Sequence, residues 1–165
     1  MNLKRKSIIR DFAILLPLSI IYYSIKSTLL PGIPVPDITV LILLYLITKE
    51  TRVEWAVFAF ALGYIEDTFS GSMLGVSSFS LCATYILLYM ALFKVDLTVT
   101  TTRILTGAVM VLFKGLLTYL LLSRSGIEIN YFSTFVPTAF ITALFAPAII
   151  RFFILISSHK EQELN

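Results

Sequence analysis

The chain is short of charge. Asp, Glu, Lys and Arg make up 14% of its 165 residues, against roughly 25% in soluble domains, while hydrophobic residues make up 58%. That balance excludes an ordinary soluble domain and places the chain in a membrane. A span of the hydrocarbon core takes about 20 apolar residues. The 165 residues therefore hold about six spans with short loops and leave no room for a soluble catalytic domain.

Reactive side chains are equally scarce. The one cysteine, Cys82, has no partner for an internal disulfide and lies in an apolar run, as a small core hydrophobe does. The one histidine, His159, sits in the polar tail 157–165. With one of each, neither a His or Cys metal cluster nor a buried Ser/His pair for nucleophilic catalysis is expected. There is no glycine-rich phosphate loop and no basic stripe with interleaved aromatics, so neither a nucleotide cofactor nor nucleic acid is expected.

Six apolar runs are present instead. They predict membrane helices over about 12–30, 36–48, 55–69, 73–93, 104–122 and 131–156, in an all-α bundle that forms a single membrane domain. The basic segment Lys4, Arg5, Lys6 and Arg10 resembles the start of a signal peptide, yet the run after it is long and ends in a Pro-rich turn without an Ala-x-Ala site. A retained span is expected. The second run reaches only about 20 Å of a ~30 Å core, which leaves a re-entrant segment as the alternative. Charge placement favours six spans, because Lys4, Arg5, Lys6, Arg10, Lys49, Arg52, Lys94, Arg103, Arg151 and Lys160 then share one side, with Arg124 alone on the other. Both termini are then cytoplasmic, and the short second span needs little tilt or a thinned bilayer. Pro36 and Asp37 suit the first turn of that helix, and Trp55 suits an interfacial anchor at the start of the third. Pro137 and Pro147 suit kinks in the sixth.

The densest polar feature runs from Gly63 to Gly75. On a continuing helix Gly63, Asp67 and Gly71 form one narrow stripe with Ser70 beside it, which lets two backbones approach closely. Intramembrane carboxylates are costly and usually face protein or water, so Glu66 and Asp67 are candidate functional residues. Lys114 is the only charge inside the fifth run and lies at a depth similar to Asp67 when measured along each helix. A third-span carboxylate, Glu66 or Asp67, is its expected partner. A water-filled cavity around an unpaired Lys114 is the alternative.

Pro36-Asp37 before a short apolar span, then Arg52, then Gly63-x-x-x-Asp67-x-x-Ser70-Gly71-x-x-x-Gly75 resembles the bacterial rod-shape-determining MreD family. The resemblance covers the chain in length and span pattern, and its specific part lies within 36–90. It implies a multi-pass inner-membrane protein without known catalytic activity that partners MreC and works with MreB and the glycosyltransferase and transpeptidase of cell-wall elongation. It also implies a fold similar to the substrate-binding subunits of energy-coupling-factor transporters. Glu66 and Lys114 depart from the family, which usually has an apolar residue at the first position and an apolar or acidic one at the second; their joint departure makes Glu66 the expected partner of Lys114 and leaves Asp67 for a packing or partner surface. The leading expectation is a scaffold, and the competing one is a solute-binding transport subunit with Glu66, Asp67 and Lys114 in a polar pocket. An intramembrane enzyme is disfavoured by the missing His and Cys chemistry.

Overall fold

A computed structural model describes residues 3–30, 32–71, 73–91, 99–127 and 130–162, with side chains over 11–30, 32–71, 73–91, 99–127 and 130–154. The side chains of Lys4, Arg5, Lys6, Arg10, Lys94, His159 and Lys160, counted above for topology and chemistry, lie outside the described set. Six α-helices occupy the apolar runs: α1 Leu3–Leu29, α2 Ile38–Lys49, α3 Trp55–Ser70, α4 Val76–Ala91, α5 Thr100–Arg124 and α6 Tyr131–Gln162. Three contain stretches long and apolar enough to cross a bilayer, namely Asp11–Leu29, Thr100–Arg124 and Tyr131–Ile154.

The short helix α2 is the centre of the molecule. Its residues from Ile38 through Ile47 are all buried, and α2 touches each of the other five helices. A helix that is apolar all round is stable only when surrounded. Around it α1 packs on α3, α3 on α4, α4 on α5 and α5 on α6, whereas among the described residues α1 and α6 are not a close-packed pair. A 12-residue helix enclosed by protein has no lipid-facing length to match.

The start of α2 is also later than expected. Asp37 is its N-cap and Pro36 precedes the helix, so neither belongs to its first turn. Trp55 differs from expectation too: it is 2% exposed, packed against Phe12 and Phe58, and its indole N–H donates to the Glu50 carbonyl at 3.0 Å. It anchors the α2–α3 connection inside the bundle, since the indole finds its hydrogen bond there and has no need of the headgroup region.

Close contacts fix this packing. A Cβ added to Gly63 would lie 2.4 Å from the Ser78 Cα, so α3 and α4 meet backbone to backbone. At Gly115 the same atom would meet the Phe135 ring at 2.5 Å, which sets the α5–α6 spacing. The Thr118 hydroxyl donates to Ser80 at 3.1 Å and ties α5 to α4.

Candidate functional site: a buried ammonium between two carboxylates

Lys114, 4% exposed, projects from α5 into the start of α2. Its Nζ donates to Asp37 Oδ2 at 2.7 Å, to Glu66 Oε1 and Oε2 at 2.8 and 2.7 Å, and to Thr39 Oγ1 at 3.2 Å. All of the ammonium's donor capacity is used. Asp37 accepts from three groups: besides the ammonium on Oδ2, its other oxygen accepts from the Thr39 hydroxyl at 2.6 Å and from the Val40 N–H at 3.2 Å. The single proton of Thr39 goes to that oxygen rather than to Glu66 Oε2 at 3.2 Å. One ammonium therefore faces two carboxylates, with three donors on Asp37 and the greater spare acceptor capacity on Glu66. The loop entering α2 is tied down on two more sides, since the Asp37 N–H donates to Thr142 Oγ1 of α6 at 2.8 Å and the Tyr22 hydroxyl of α1 donates to the Pro36 carbonyl.

Asp67 lies elsewhere and does different work. It is 1% exposed, and it accepts from the N–H groups of Gly75 at 2.8 Å, Ser77 at 2.9 Å and Ser78 at 3.4 Å. Those donors are the first of α4, where unpaired N–H groups and the positive end of the helix dipole both favour a carboxylate. Of the packing and partner surfaces expected of Asp67, the packing role is the one seen here: its side chain clasps the α3–α4 hairpin. The small stripe is also shorter than expected. Helix α3 ends at Ser70, and Gly71 is its C-cap at φ 66°, so Gly71 lies off the helix and cannot extend the face of Gly63 and Asp67. The left-handed φ of 97° at Gly75 brings its N–H round to the carboxylate, a conformation that a side chain would strain. Ser70 donates to the Asp67 carbonyl at 3.3 Å.

Arg52 is remote from both groups. Its guanidinium donates to Glu50, whose carboxylate holds it above its ordinary range, and its carbonyl accepts from the Tyr85 hydroxyl of α4. Two features escaped the sequence reading. Asp37 had a sufficient explanation as a helix-dipole residue, so nothing assigned it to Lys114. Asp11 of α1 accepts from Lys49, the last residue of α2, at 3.0 and 3.1 Å, and is 4% exposed. A carboxylate heading one apolar run and a lysine closing the next was the available signal.

Beside the Lys114 cluster lies a cavity of about 610 Å³ between the C-terminal ends of α1 and α3, the N-terminal end of α6 and the loop 32–35. Glu66, 15% exposed at its side chain, and Lys26 both line it. Among the described residues there is no group of three or more His, Cys, Asp or Glu suited to a metal ion.

Comparison with known proteins adds one match. The family described as rod shape-determining protein MreD matches residues 7–158 of the 165-residue chain. No curated protein and no solved structure matches it.

Proposed function

The chain belongs to the rod shape-determining protein MreD family, and on that premise we propose that it is a non-enzymatic scaffold of the bacterial cell-elongation complex. In this reading it sits in the inner membrane with six spans and both termini cytoplasmic, folded like the substrate-binding subunits of energy-coupling-factor transporters. It binds MreC and so helps position the MreB-guided glycosyltransferase and transpeptidase of peptidoglycan synthesis. The family match carries the proposal. The distribution of side chains agrees with it: buried ionic groups are paired within the bundle, and large apolar residues such as Phe60, Phe132, Phe140 and Leu144 are exposed on the outside. An outer surface of that kind suits lipid and partner helices alike.

Depletion in a rod-shaped host is expected to round the cells, and the protein is expected to co-purify with MreC in mild detergent. Normal rods after complete depletion would sink the proposal. The competing reading, a solute-binding transport subunit, is favoured by one observation, the cavity that Glu66 and Lys26 line. A transport role predicts that depletion abolishes uptake of a solute and leaves cell shape intact.

A further inference from the structure

Three properties of the cavity beside Lys114 specify what it holds. The first is charge. In the cluster at its wall the single ammonium is shared by Asp37 and Glu66, at 2.7 Å from each, so the cluster carries one negative charge in excess, and of the two carboxylates Glu66 lines the cavity. At another part of the wall stands Lys26, whose Nζ lies 5.4 Å from the Tyr23 ring centroid and which forms no ion pair with a described residue. The second is hydrogen-bonding polarity. Among the lining hydroxyls, Ser27, Ser133 and Thr138 each donate to a backbone carbonyl within the preceding turn, at 3.1, 3.2 and 2.8 Å. Their protons are spent and their lone pairs remain, so these hydroxyls offer acceptors to whatever enters. A wall of acceptors beside a carboxylate suits a donor-rich cation, and a primary ammonium supplies three N–H groups.

The third property is access. Among the described residues α1 and α6 are not a close-packed pair, and the cavity is lined by residues from both of those helices. Its volume of about 610 Å³ falls in the range of sites for small organic molecules. We propose that this cavity binds a zwitterion whose primary ammonium reaches Glu66 and whose anionic group, a phosphate or carboxylate, reaches Lys26. Two sources carry that chemistry: the ethanolamine headgroup of a membrane phospholipid entering between α1 and α6, and a soluble amino-phosphate or amino acid. The proposal is independent of MreC binding and holds for a scaffold and for a transport subunit alike.

The test is thermal stability and titration of the full-length protein in maltoside detergent with four probes at equal concentration. These are dihexanoyl phosphatidylethanolamine, the phosphatidylcholine and phosphatidylglycerol of the same chains, and free phosphoethanolamine. A ligand that binds only the folded state raises the melting temperature by mass action. Phosphatidylethanolamine is expected to stabilise. The choline lipid, a cation without N–H donors, and the glycerol lipid, which has no cation, are expected not to. Stabilisation by phosphoethanolamine as well identifies a soluble zwitterion, and stabilisation by the ethanolamine lipid alone identifies the headgroup. Because Glu66→Gln also touches the Lys114 cluster, Lys26→Met and Ser133→Leu serve as variants outside it, each expected to weaken binding about tenfold or more. Equal stabilisation by all three lipids, no shift with either amine, or unchanged affinity in Lys26→Met overturns the proposal.

Discussion

A lysine in an apolar helix was the most informative single residue, because an ammonium without a partner in hydrocarbon is too costly to be left unexplained. That argument led to Glu66 and missed Asp37, since a residue with one adequate role gives no sign of a second. The geometry changes the energetic expectation from a pair to a triad. Lys114→Met strands two buried carboxylates and is expected to cost ~3 to 5 kcal/mol. Glu66→Gln leaves the Lys114–Asp37 pair intact and is expected to cost only ~1 kcal/mol. The double variant Lys114→Met/Glu66→Gln still strands Asp37 and should recover only part of the loss, whereas adding Asp37→Asn should recover most of it. Melting in detergent across this set measures the coupling, and a Glu66→Gln loss as large as that of Lys114→Met would refute the ranking.

Among the elements, the α3–α4 hairpin shows how a motif can be found and its role misjudged. The spacing of Gly63, Asp67 and Gly71 is regular in sequence, but whether a helix continues through Ser70 depends on a backbone turn that spacing does not encode. Once Gly71 ends the helix, Asp67 meets α4 end-on and its carboxylate replaces the missing carbonyl partners of that helix. Asp67→Ala should therefore cost ~1 to 3 kcal/mol, with Asp67→Asn intermediate. Amide hydrogen exchange should rise at Gly75, Ser77 and Ser78 while the α5–α6 contact keeps its protection. Gly63→Val should be at least as damaging, because its side chain meets Ser78 backbone that cannot turn aside.

For the whole molecule, helix number and placement were legible because each apolar run ends in polar or turn-forming residues. The arrangement was not, since a side chain facing lipid and one facing another helix are both simply apolar. Hence α2, which looked like a short span, proved to be the hub. The proposed topology makes its own prediction. In a Cys82→Ala background, a cysteine at Ser125 should react with an impermeant thiol reagent added outside the cell, and one at Thr51 should not. Labelling of Thr51 from outside would exclude six spans with cytoplasmic termini.

The triad around Lys114 also sets a timetable. Asp37 and Glu66 precede Lys114 by 77 and 48 residues. At about 5 to 20 residues per second, a growing chain holds these acids for roughly 2 to 15 s before their counter-ion is made. In the proposed topology, an acid held in the hydrocarbon without its counter-ion costs up to about 2.5 to 3.5 kcal/mol, the figure for a helix centre. On that topology the first helices remain costly to insert until α5 arrives. A nascent chain that stops at residue 99 should be degraded faster in pulse-chase than one that stops at residue 127, because only the longer one carries the lysine that lets the centre close.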